Sequence, residues 1–236
     1  MERIETHVPG FDKLVDGGIP KGHIVLVTGT PGTGKSTFCA QILYHNVLQG
    51  KKCLYIDLEQ EPGRIASELA IYGWDIHKTP NFKLAAVDSD NPNFMDELTD
   101  EFKNNKYDFI CLDSLDSIGS NPIQPMDLAY HVDGHDYDID PTNLNRFRLK
   151  TIFKALSRTN ATVFVTSERV ENNPGLTRDT ISEFLCDGIV LLQSQDLADE
   201  TVRTLAIRKM RSVKIKGGIH NFEFTDQGIK MMEGSG

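Results

Sequence analysis

Short apolar runs alternate along the chain with longer segments whose apolar residues recur at helical spacing. Ile24-Val25-Leu26-Val27, Cys53-Leu54-Tyr55-Ile56, Phe109-Ile110-Cys111-Leu112 and Val163-Phe164-Val165 are continuous rather than alternating. That pattern suits strands buried on both faces of a parallel sheet. Between them, Phe38, Cys39, Ile42, Leu43 and Val47 mark one helix face, ended by Gly50. Pro62-Gly63 turns into a helix carrying Ile65, Leu69 and Ala70, and Phe94, Met95, Leu98 and Phe102 give another. Asp140-Pro141 supplies an N-cap and a first-turn proline for a helix that uses Leu144, Phe147, Thr151, Ile152, Ala155 and Leu156. Residues 82–86 read as a further strand, and residues 8–15 as a short helix between two turns. Residues 189–192 and 202–207 predict two late strands paired antiparallel, and residues 221–224 and 228–229 close the domain. Strands alternating with helices in this order predict an α/β fold with a RecA-like core: a mostly parallel sheet, helices on both faces, and late antiparallel strands. Residues 1–233 are expected to form one domain, with 234–236, Gly-Ser-Gly, as a linker or disordered tail.

Charge and cysteine content narrow the function classes. The net charge of −9 over 236 residues disfavours non-specific binding to nucleic acid or to an anionic membrane unless a local basic patch overrides it. The four cysteines are widely spaced, with no C-x-x-C pair, which fits reduced, buried thiols in a cytoplasmic protein. No apolar run approaches the roughly 18 residues that span a bilayer.

The chemistry centres on residues 29–36, which read G-x-x-x-x-G-K-S between the first apolar run and the first helix. This is the Walker A context of a phosphate-binding loop. Backbone amides over Thr30, Pro31, Gly32, Thr33, Gly34, Lys35, Ser36 and Thr37 wrap phosphates (Pro31 lending only its fixed turn), and the helix N-terminus adds a positive dipole end. Lys35 suits the β- and γ-phosphates and the Ser36 hydroxyl suits Mg²⁺. Asp113 ends an apolar run, where the second Mg²⁺-linked carboxylate belongs, acting through a bound water. Asp57 and Glu59, Asp113, and Thr166-Ser167-Glu168 should gather with the loop at the carboxyl edge of the sheet. Glu59 is the candidate to orient and deprotonate the attacking water, with Glu61 as its competitor.

Four segments resemble the KaiC-type branch of the RecA ATPase superfamily over nearly the whole chain. They are Val8-Pro9-Gly10-Phe11-Asp12 with residues 17–22 and the Gly-Thr-Gly-Lys-Ser loop; residues 55–60; residues 166–171 with 183–188; and residues 205–211 with 224–229. The resemblance implies ATP and Mg²⁺ as ligands, and a homo-oligomer, usually a hexameric ring, with nucleotide between subunits. It assigns Glu59 the catalytic glutamate's place, and Lys209 and Arg211 the place of cations that reach a neighbour's γ-phosphate. Gln60 stands where the family has a second glutamate, so chemistry needing that pair is not implied. Members with two tandem ATPase domains serve a clock; this chain has one, so that role is not implied either.

Residues 119–140 are expected to be irregular and hold Asp127, Asp133, Asp136, Asp138 and Asp140 with no Lys or Arg. His131 and His135 among them raise a metal site, against the commoner alternative of a solvated acidic loop. Such a loop repels phosphates, which argues against a DNA-strand-exchange protein. The expectations left are a regulatory Mg²⁺-dependent ATPase, a nucleotide-gated module that docks an unidentified protein partner as archaellum accessory ATPases do, and an autokinase.

Overall fold

The structure is a computed structural model that describes residues 1–232 except 60–61, 88–90, 92, 105, 121–140, 171–174 and 198–199. Its frame is a nine-stranded sheet in the order β11-β10-β9-β8-β3-β7-β6-β4-β5. The parallel part comprises β3 (Ile24–Gly29), β4 (Cys53–Asp57), β5 (Phe82–Ala86), β6 (Phe109–Asp113), β7 (Thr162–Glu168) and β8 (Gly188–Leu197). Antiparallel β9 (Glu200–Met210), β10 (His220–Thr225) and β11 (Gly228–Met231) extend it on one side. A separate two-residue ladder joins β1 (Arg3–Ile4) to β2 (Ile19–Pro20).

Each continuous apolar run divides by residue parity between two cores, one per face of the sheet. Val25, Val27, Tyr55, Cys111 and Phe164 join the cluster that packs α1 (Lys35–Leu48) and α2 (Pro62–Ala70). Leu26, Ile56, Ile110, Leu112 and Val165 join the cluster that packs α3 (Phe94–Asn104) and α5 (Pro141–Leu156). Two short helices, α4 (Asp116–Ser120) and α6 (Ser182–Leu185), follow β6 and precede β8. A period of two inside an unbroken apolar run is what burial on both faces produces. All four cysteines are buried and free.

The edge strand β11 is closed by side chain and loop. Gln41, buried on α1, accepts from the Ile229 amide at 2.7 Å and donates to the Ile229 carbonyl at 3.0 Å. The Met231 amide donates to the Pro9 carbonyl at 2.9 Å.

Three expectations change. The N-terminal helix is a single 3₁₀ turn, Asp12–Leu14, because Asp16, Gly17 and Gly18 all take positive φ and end it. The stretch expected to be irregular from 119 begins inside α4, which runs to Ser120. The late strand expected over 202–207 is longer, β9 running from Glu200 to Met210, and Arg211 sits in the turn beyond it. Asp140, His131 and His135 lie outside the described residues.

Candidate nucleotide site

β3 delivers the chain to Gly29, and α1 begins six residues later at Lys35. A Cβ on Gly29 would lie 2.3 Å from the Leu192 carbonyl oxygen and 2.7 Å from Thr33 Oγ1. Gly34, the N-cap of α1, has φ +96°, and a Cβ there would lie 2.5 Å from Phe224 Cζ. Both positions therefore need glycine for the loop to close. The Thr33 hydroxyl donates to the Thr30 carbonyl at 2.8 Å. Lys35 Nζ donates to the carbonyls of Gly29 and Thr30 at 3.1 and 3.2 Å, which holds the ammonium over its own loop. The first turn of α1 carries no acidic residue, so nothing there competes with an anion for the helix dipole. A groove of about 670 Å³ opens beside the loop, lined by Thr30, Arg169, Leu192, Gln193, Ser194 and Thr204 among others.

The carboxylates expected at this edge are brought together by strand register. Asp57 pairs across the ladder with Asp113, and Gly29 with Glu168. Asp113 is buried and accepts two hydroxyls, from Tyr55 at 2.5 Å and from Thr166. Burial, and next the charge of Asp113, hold the Tyr55 phenol well above its ordinary pKa, so it stays protonated and donates. A carboxylate offers about four acceptor positions, so acceptor capacity remains for a metal-bound water. With Ser36 in the first turn of α1, these donors fit Mg²⁺, the hard cation that carboxylate, hydroxyl and water suit. The Asp113–Ser114 peptide is cis.

Glu59 follows β4 and is exposed. Its amide donates to Asp57 Oδ1 at 2.8 Å, and its carboxylate accepts the hydroxyl of buried Ser114. Backbone and side chain are thus fixed by different partners, leaving the second carboxylate oxygen for another ligand. Glu61 and Gln60 lie outside the described residues.

One contributor escaped the sequence reading. Asp116, at the start of α4, accepts the Glu168 amide at 2.6 Å and the Ser167 hydroxyl at 3.2 Å. Burial raises its pKa. It ties the end of β7 to the segment after β6, and Arg178 pairs with Glu168 at 2.7 Å alongside. An Asp three places after Asp113 at a helix start was the available signal.

Lys209 and Arg211 do not join the loop of their own chain. Lys209 Nζ donates to the carbonyls of Glu183 and Cys186, at 3.1 and 2.5 Å, and Arg211 Nη1 donates to Asp187 Oδ1 at 3.1 Å. These partners precede Gly188, where β8 starts. Because β8 runs parallel to β3, both cations lie at the amino edge of the parallel strands, opposite the loop. Among the described residues no group of three His, Cys, Asp or Glu side chains is placed to hold a metal.

Comparison with known proteins decides the family. A family model described as "ATPase: KaiC" matches residues 4–236. The chain belongs to the KaiC family of ATPases. A UPF0273 protein of Aeropyrum pernix is 30% identical, over 97% of this chain and 93% of that protein. The circadian clock oscillator protein KaiC of Synechococcus elongatus is 27% identical over 98% of this chain but only 44% of its own length. The crystal structure of a KaiC-like protein from Pyrococcus horikoshii superposes with a TM-score of 0.82 at 27% identity, covering 98% and 99% of the two chains. The RecA-like fold and ATP binding of this KaiC-family chain follow. No helix among the described residues is long and apolar enough to cross a membrane.

Proposed function

We propose that this KaiC-family protein hydrolyses ATP with Mg²⁺ at sites completed by neighbouring copies in a ring, hexameric as the resemblance implies, with a regulatory output. The observation that carries the proposal is Glu59 held by Ser114, next in sequence to Asp113, on the edge that bears the phosphate loop. Lys35 and the loop amides hold the β- and γ-phosphates. Ser36 and Asp113 hold Mg²⁺, the latter through water; when bound, the ion neutralises phosphate charge. Glu59 accepts a proton from the attacking water through the carboxylate oxygen that Ser114 leaves open. The groove beside Thr30 receives the nucleoside.

The opposite-edge placement of Lys209 and Arg211 supports their action in trans, where a guanidinium stabilises charge developing on the neighbour's γ-phosphate. The same placement supports a second reading: ATP occupancy assembles the ring for a protein partner, and hydrolysis is incidental. Mg-ATP turnover per chain across a protein dilution series, with Glu59→Gln alongside, separates the two. Turnover that rises with concentration and falls about 10²–10⁴-fold in the variant supports hydrolysis. A flat rate unaffected by the substitution removes Glu59 as the base and leaves the assembly reading.

A further inference from the structure

At the amino edge of the sheet, far from the phosphate loop, lies a pocket of about 840 Å³. It is formed by the C-terminal ends of α3 and α5 and the segments that enter β3, β4, β6 and β7. Along β6 the four-residue step from Phe109 in this pocket to Asp113 spans about 13 Å, so the two sites are separate. The pocket volume falls within the roughly 300–1,000 Å³ of small-molecule sites.

Its lining carries Lys21, Lys51, Lys103, Lys106, Lys154 and Arg158 against two carboxylates, Glu2 and Asp108. Lys21 pairs with Glu2 at 2.9 Å, and Lys103 with Asp100 at 3.1 Å. Asp108 accepts the Lys52 amide at 2.8 Å. Among the described residues, Lys51, Lys106, Lys154 and Arg158 meet no carboxylate. Cations near helix C-termini answer the negative dipole end, about half a charge per helix. With Asp108 set against the four, three positive charges remain in excess, and two helices account for about one of them. On a chain of net charge −9, the remaining excess is a local reversal of sign, and charge collected in a concave site focuses the field on an incoming anion. The floor is aromatic, with buried Phe102, Tyr107 and Phe109.

We propose that this pocket is a second anion site, taking a compact polyphosphate chain, either free or as the tail of a nucleoside polyphosphate. The inference stands independently of hydrolysis at the phosphate loop. Four unpaired cations around one cavity match the charge density of such a chain, and ammonium and guanidinium groups bind phosphate oxygens by charge-assisted hydrogen bonds.

The test titrates sodium tripolyphosphate, without Mg²⁺, into the wild-type chain, Lys35→Ala, and the double variant Lys154→Glu/Arg158→Glu, by calorimetry. A class of sites that survives Lys35→Ala, weakens about tenfold or more in the double variant, and weakens with added salt supports the proposal. The altered side chains are exposed, so the double variant should stay folded, melting slightly lower because Glu opposes the dipole at the end of α5, and should keep its Mg-ATP turnover. Lys154→Arg/Arg158→Lys should retain binding. Loss of all tripolyphosphate binding in Lys35→Ala overturns the proposal, as does unaltered binding in the double variant. Titrating ATP into Lys35→Ala identifies the source: tighter binding than tripolyphosphate assigns a nucleoside polyphosphate, and equal binding assigns the phosphate chain alone.

Discussion

Tyr55 donates its phenol to Asp113 at 2.5 Å from the neighbouring strand, and both residues are buried. The donor reaches the carboxylate before any ligand does, so the acid at the end of β6 is oriented in advance. A hydrogen bond to a charged acceptor contributes about 1.5–3 kcal/mol. Tyr55→Phe should therefore lower stability by about 2 kcal/mol in urea denaturation while leaving the packing of the ring intact. An unchanged midpoint would show that the phenol contributes nothing to holding Asp113.

The two positive-φ glycines of the phosphate loop should respond differently to alanine. Gly32 has φ +76° but open space around its missing Cβ, whereas Gly34 has φ +96° and meets Phe224. Gly32→Ala should cost only the left-handed strain, about 1–2 kcal/mol. Gly34→Ala adds a clash and should lose more than tenfold in ATP affinity, a decade being about 1.4 kcal/mol. Adding Phe224→Leu should recover part of that loss. Equal losses at the two positions would remove Phe224 from the account.

The parallel strands, the helices and the loop could be read from the chain because each is written in consecutive residues. The contacts around Asp113 could not. Tyr55 looked like one apolar residue in a buried strand, and only the register of β4 against β6 turns its hydroxyl into a donor. Arg211 lies just past the end of β9, and its anchor at Asp187 comes from 24 positions away. The basic pocket was hidden for the same reason. Its cations come from separate segments, and a net charge of −9 gives no hint that they converge.

His45 supplies a pH dependence. It packs edge-on to Trp74 at 6.0 Å and lies 5.9 Å from the His7 ring. Burial, then the charge of His7, lowers its pKa from 6.5. The folded state thus binds this proton less readily than the unfolded chain, so stability is full above pH about 6.5 and declines as pH falls from there toward the folded value. His45→Gln should flatten that decline in denaturation midpoints measured through the window, whatever its effect at neutral pH. A decline of undiminished slope would assign the titration to another group.

Subunit mixing tests the in-trans assignment. Arg211→Ala removes an exposed pair with Asp187, worth about 0–1 kcal/mol, so the variant should fold. Neither it nor Glu59→Gln should turn over ATP at the wild-type rate. Mixed together, they should exceed the sum of the separate rates, because some interfaces then hold an intact Glu59 and an intact Arg211. Rates that merely average would place both residues' effects within one chain.

Gln41 gives the sheet an ending. Its amide matches the Ile229 backbone donor for acceptor, which is the geometry an added strand would need to offer. A second copy, or an unfolded segment of another protein, could dock at that border only by displacing two buried hydrogen bonds and the Pro9 contact beside them. Growth of the sheet into fibre-like stacks is thereby obstructed on this side.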